Sequence, residues 1–193
     1  MNDQLLSRGA PSADPAKIER LKHRLAAAAD REAILDITYR TVDSPVGSLL
    51  VAATSEGIVR VAFAVEDHDA VLDSLASSIS PRILESGRRT DPAARQLDEY
   101  FAGERTTFEL PVDLSLVGGF RREVVRSLPE IPYGATASYA EVAKAAGNAK
   151  AVRAVGSACS HNTLPVVIPC HRVVRSDGTI GQYLGGTATK RAL

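Results

Sequence analysis

After Asp14-Pro15, apolar residues recur at helical spacing at Ile18, Leu21, Leu25 and Ala28. An aspartate cap followed by a proline at the first helical position predicts an amphipathic helix that ends near Leu35. The pattern then shortens to apolar runs at Ile37 to Val42, Ser48 to Thr54 and Ile58 to Val65. Asp43-Ser44-Pro45-Val46-Gly47 and Ser55-Glu56-Gly57 separate these runs, and turn chemistry of that kind predicts three short antiparallel strands. A helix is expected from about Asp67 to Ser77 and a surface loop from Ser80 to Thr90. A second Asp-Pro start at Asp91-Pro92 predicts a helix running to Gly103, and Thr107 to Val112 reads as a further strand.

Beyond Asp113 the periodicity becomes helical. Phe120, Val124, Val125 and Leu128 share one face, and Pro129 and Pro132 stop the run. Ser138 is placed to cap a helix from Tyr139 to Ala146 that Gly147 ends, and a second helix is expected from about Ala149 to Ser160. Two short helices across a glycine turn form a helix-turn-helix candidate. The second is rich in small residues, Ala149, Ala151, Ala154, Gly156, Ser157 and Ala158, which suits either tight internal packing or close approach to an outside surface. The chain therefore divides into a polar tail and amphipathic helix at residues 1–35, an α/β half at 36–113 and a mainly helical half at 114–193.

Composition adds a constraint. The 193 residues are 45% hydrophobic, enough for a packed core. No apolar run reaches the ~20 residues needed to span a bilayer, and no secretory leader is evident, so a cytoplasmic protein without membrane association is expected. The formal net charge is zero but unevenly spread, with 13 Lys and Arg against 19 Asp and Glu up to Asp113, and 10 against 4 from Leu114 onward. The second half is thus the one suited to a polyanion. Cys159 and Cys170 lack CxxC or zinc spacing and are expected to be reduced.

The densest chemistry lies in Val166-Val167-Ile168-Pro169-Cys170-His171-Arg172-Val173-Val174, where proline stops an apolar run and delivers a thiol beside an imidazole and a guanidinium. A thiol becomes a useful nucleophile when a base removes its proton or a cation favours its thiolate. His171 is the candidate base, acting directly or through a water. The residues alone leave a second reading open, an inert core cysteine, since free cysteines are commonly buried.

Pro169-Cys170-His171-Arg172-Val173 resembles the active-site signature of the O6-alkylguanine-DNA alkyltransferases, the methylated-DNA–protein-cysteine methyltransferases. The resemblance extends through Ile131-Pro132-Tyr133-Gly134, Ser138-Tyr139, Gly147-Asn148, Arg153-Ala154-Val155-Gly156, Asn162, Tyr183, Gly185-Gly186 and Lys190. It continues more loosely through Ser44-Pro45-Val46-Gly47 and Leu97 to Gly103. It implies a ribonuclease H-like α/β half with a small antiparallel sheet, and a helical half with a winged-helix-like helix-turn-helix. It implies direct, single-turnover repair, in which an alkyl group passes from O6-alkylguanine, and by extension O4-alkylthymine, in double-stranded DNA to Cys170.

The implied catalytic set is Cys170, His171, Asn162 and Tyr139. Tyr139 would donate to guanine N3, and Asn162 would brace the turn that carries the thiol; a core tyrosine and a helix C-cap are the plainer readings of these two residues. Arg153 would fill the space left by a flipped base, while Ala151, Val152, Ala154 and Gly156 would form the face entering the minor groove. The carbonyls of Cys170 and Val173, the Leu184 amide, Cys159 and Lys190 would surround the extruded base, with Gly185-Gly186 as a flexible closing loop. Cys159 stands at a pocket-facing position often held by a larger apolar residue, and small buried packing is its plainer reading.

No cofactor and no metal are expected, because the zinc site of some relatives needs more Cys and His than His23 and His68 in the first half. A monomer is expected. The sequence differs from the family pattern around Phe120-Arg121-Arg122 and Val125, read as altered packing. The family also places a glutamate a few residues past the Lys190 region to orient the histidine; the present sequence runs to Leu193. The alternatives are a non-catalytic alkylated-base-binding protein, a DNA-binding regulator and, less compatibly with adjacent Cys and His, a cysteine hydrolase.

Overall fold

The computed structural model describes residues 14–193, so the tail expected up to Ala13 lies outside the described residues. Helix α1 (Pro15–Arg31) starts where the cap pattern placed it, with the Asp14 carboxylate accepting from the Ala16 amide at 3.1 Å. Strands β1 (Ile37–Val42), β2 (Leu49–Ala53) and β3 (Ile58–Phe63) form the expected antiparallel meander. Helix α2 (His68–Ser78) follows.

The predicted Ser80 to Thr90 loop contains a fourth strand, β4 (Ile83–Glu85), which pairs parallel to β1 and gives the sheet order β3-β2-β1-β4. Three residues flanked by Pro81-Arg82 and Ser86-Gly87 are too few to show an alternating pattern, and the neighbouring strand supplies the order instead. Conversely, Thr107 to Val112 forms no strand. Only Val112 bridges the sheet, opposite Ile58, where Gly57 lets the Pro111 carbonyl pass so close that a Cβ would sit 2.3 Å from it.

Every residue of β2 is buried, because the sheet is covered on both faces. Leu50 and Ala52 join Ile37, Val59, Val71 and Leu75 in a small core under α2. Leu49, Val51 and Ala53 point the other way, as strand alternation requires. They meet α3 (Asp91–Phe101) and the helical half in one large core that includes Leu97, Val124, Leu128, Val155, Leu164 and Ile168. The edge of β3 is closed by the helical half, since the Val61 amide donates to the Thr163 carbonyl at 2.8 Å. The two halves therefore share their main hydrophobic core.

Helix α4 (Gly119–Ser127) carries Arg122, whose guanidinium donates to the carbonyls of Val117 and Leu114 at 2.7 and 3.0 Å and ties the connector to the helix. Helix α5 (Tyr139–Ala145) opens with a capping box between Ser138 and Glu141. It ends in a Schellman motif, in which the Asn148 and Gly147 amides donate to the Ala143 and Lys144 carbonyls and Gly147 takes φ +83°. Helix α6 (Val152–Ser160) begins three residues later than predicted and completes the helix-turn-helix. Strands β5 (Ala137–Ser138) and β6 (Val173–Val174) pair in parallel, and α7 (Gly186–Ala192) closes the chain as described. Gly185-Gly186, expected as a flexible loop, thus leads straight into a helix. Among the described residues no helix is long and apolar enough to cross a membrane.

Candidate active site

The thiol is delivered by two successive tight turns. Pro169 adopts φ −80° and ψ 57°, an inverse γ-turn closed by the Cys170 amide on the Ile168 carbonyl at 2.8 Å. A 3₁₀ turn over Cys170–Arg172 follows and leads into β6. Just before them Val166 takes φ +71°, a conformation a β-branched residue adopts only under strong constraint, here full burial.

Asn162 holds this arrangement from the end of α6. Its amide nitrogen lies 3.1 Å from both the Ile168 carbonyl and the Cys170 Sγ, and its oxygen accepts from the Leu164 amide at 3.0 Å. The expected bracing role therefore has a geometry, and it includes a hydrogen bond to the sulfur itself.

The cation beside the thiol is Lys190. Arg172, adjacent in sequence, turns away to donate to the Ile131 carbonyl at 2.8 Å and to stack over Tyr133. Lys190 is buried, and its ammonium donates to the Val173 carbonyl at 2.6 Å from α7. Burial raises the Cys170 thiol above its ordinary value, opposed by the Asn162 hydrogen bond and then by the Lys190 charge. The Tyr183 hydroxyl, buried with no well-formed partner among the described residues, faces the sulfur and also favours its thiolate.

His171 is buried and pushed down to about 3, first by desolvation and then by Arg172 and Lys190. It is a neutral imidazole at ordinary pH. Its Nε2 lies 3.4 Å from the Tyr100 hydroxyl, and its Nδ1 is buried without a partner among the described residues. The Tyr100 hydroxyl, from α3 of the other half, also donates to the Leu193 carbonyl at 3.2 Å. Sequence reasoning gave Tyr100 no role in the site, since it stands 71 positions before His171 in the Leu97 to Gly103 stretch that resembles the family only loosely.

The remaining candidates gather around this centre. Tyr139, half-buried at the start of α5, lies near Cys159 and Cys170, and its hydroxyl stays above its ordinary value chiefly through burial. A Cβ on Gly181 would come within 2.7 Å of that hydroxyl, so the glycine gives the phenol its place. Cys159 is buried in the last turn of α6, and Leu184 packs on the shared core.

On the outer face of α6, Val152, Arg153 and Ala154 are exposed, while Ala151 and Gly156 are half-buried. A Cβ on Gly156 would meet nothing within 4 Å. Packing inside the chain therefore does not require a small residue there, which favours a surface shaped for close approach from outside. Among the described residues no cluster of three or more His, Cys, Asp and Glu is arranged to hold a metal ion.

Residues 37–114 match the family described as 6-O-methylguanine DNA methyltransferase, ribonuclease-like domain, and residues 119–193 match its DNA binding domain. The chain is 39% identical over 158 residues to the constitutive methylated-DNA–protein-cysteine methyltransferase of Bacillus subtilis, covering 80% of this chain and 90% of that one. It is 40% identical over 169 residues to the methylated-DNA–protein-cysteine methyltransferase of Mycobacterium tuberculosis, covering 81% and 90%. The crystal structure of Mycobacterium tuberculosis O6-methylguanine methyltransferase superposes with a TM-score of 0.70 at 35% identity, over 81% of this chain and 90% of that one. Mycobacterium tuberculosis OGT in complex with DNA gives 0.68 at 35% identity, over 80% and 88%.

Proposed function

The chain belongs to the methylated-DNA–protein-cysteine methyltransferase family, and from that premise we propose that Cys170 is the cysteine that receives the alkyl group and O6-alkylguanine in duplex DNA is its source. As a family member the protein binds DNA and repairs it by direct alkyl transfer to itself. The observation that carries the assignment is the convergence on one buried sulfur of the Asn162 amide and the Lys190 charge, with His171 next along the chain.

In this reading the lesion leaves the base stack, because its alkyl carbon cannot be approached in line while stacked. Arg153 fills the vacated space, and Ala151, Val152, Ala154 and Gly156 admit the minor groove closely. The Cys170 proton passes to His171, and the sulfur electron pair forms a bond to the alkyl carbon. The carbon–oxygen pair departs on the guanine, which ends with the proton. Tyr139 donates to guanine N3 as charge builds there, and Leu184, Val173, Cys159 and Lys190 form the surrounding wall. The product thioether has no good leaving group, so each molecule acts once. A monomer acting in the cytoplasm completes the proposal.

The test is to incubate the protein with duplex DNA carrying one O6-methylguanine and weigh the intact chain and its peptides. One methyl group on the Cys170 peptide, at no more than one per molecule, is the expected result. Tight lesion binding with unchanged mass would identify a recognition protein instead.

A further inference from the structure

His171 is neutral in the resting site, so its usefulness as a base depends on which nitrogen holds the single ring proton. The structure answers this through Tyr100. A phenol has one proton to donate, and the Leu193 main-chain oxygen, 3.2 Å away, can only accept. The Tyr100 proton is therefore committed to Leu193, and what the hydroxyl turns toward Nε2, at 3.4 Å, is a lone pair. A lone pair facing Nε2 favours the tautomer protonated there, which leaves Nδ1 as the free acceptor. Nδ1 is also the buried ring nitrogen that has no partner among the described residues.

The phenol is held for this task. Tyr100 is buried, with its ring edge-on to Phe101 and Tyr133 and against Phe108 at a centroid distance of 5.1 Å. The other charged groups facing the imidazole, Arg172 and Lys190, are cations and disfavour a second ring proton at rest. We propose that Tyr100 is a positioning residue that keeps His171 protonated on Nε2, so that Nδ1 is free to take the Cys170 proton. The α/β half thereby contributes to the chemistry of the helical half. This inference rests on the reading of Cys170 and His171 given above.

Tyr100→Phe tests it, since the ring and its aromatic contacts remain and only the hydroxyl is lost. With the O6-methylguanine duplex, the variant should transfer at least about tenfold more slowly in a single turnover. Its affinity for the same duplex, measured in a Cys170→Ser background, should stay within about twofold. Nitrogen-15 spectra of the histidine rings should show His171 with its proton on Nε2 in the parent protein and a mixed or reversed population in Tyr100→Phe. A parent ring protonated on Nδ1 would overturn the inference, as would a variant with unchanged rate and tautomer. Absence of transfer by the parent protein would instead overturn the assignment of Cys170, and the ring spectra would still decide the role of Tyr100.

Discussion

The two cysteines occupy differently built regions, the last turn of α6 and the double turn after Pro169, and the comparison shows what burial does and does not do. Both side chains are buried, and burial raises both thiols, Cys159 to about 12. A charge on Cys170 opposes ionisation of Cys159, and Lys190 favours the thiolate at both. What separates them is specific. Among the described residues only Cys170 has a side-chain amide on its sulfur, from Asn162, and it is followed directly by His171, whose Nδ1 has no partner there. Burial keeps both as neutral thiols, and in the proposed reading the hydrogen-bond partners mark Cys170 as the one to be ionised.

The comparison breaks most sharply by exchange. Cys170→Ser should abolish alkyl transfer, by a factor of at least about 10³, whereas Cys159→Ala should leave the rate within a few-fold. The mass of the protein after incubation with lesion DNA distinguishes them; equal losses would show that the two thiols act together.

Asn162→Ala removes the donor at the sulfur and leaves the Leu164 amide and Ile168 carbonyl without their side-chain partner. A stability loss of about 2–3 kcal/mol is expected in urea unfolding, together with slower transfer by the fraction that remains folded.

A smaller effect concerns His171. Its folded-state value of about 3 lies below the ordinary 6.5, so between those values the unfolded chain takes up a proton that the folded chain refuses. Stability should therefore fall as pH falls through that window, by up to about 1.4 kcal/mol per pH unit. Unfolding midpoints between about pH 6.5 and pH 5, where carboxylates stay ionised, should decline in the parent protein and decline less in His171→Asn.

Much of this architecture was legible in the sequence because it is written locally. The Asp14 cap, the Ser138 cap and the Gly147 stop each act within four residues, and the structure realises all three. Asp91-Pro92 marked the third helix, although Asp91 is its first residue and Thr90 the cap. Strand β4 escaped because its order comes from β1, and α7 escaped because its glycine-rich start resembles a loop. In the site, the Asn162 amide meets the Cys170 sulfur, with His171 next along the chain. The roles of the two nearby cations are redistributed. Arg172 is a neighbour of the thiol in sequence but serves the Ile131–Tyr133 segment, while Lys190, twenty positions away, reaches the site through the packing of α7. Tyr100 was invisible for the same reason, since its contact exists only once the two halves share a core.

The two-residue ladder between β5 and β6 has a consequence for engineering. Ala137 pairs with Val173 and Ser138 with Val174, so Tyr139 begins one step past the ladder and Cys170 lies three residues before it. The phenol and the thiol that the proposed function assigns to lesion and nucleophile are thus indexed to the same short ruler. A helix-turn-helix transplanted without the Pro169 to Val174 segment would carry the grip and lose the alignment, and insertions tolerated elsewhere in the loops would here put the tool out of register with the workpiece.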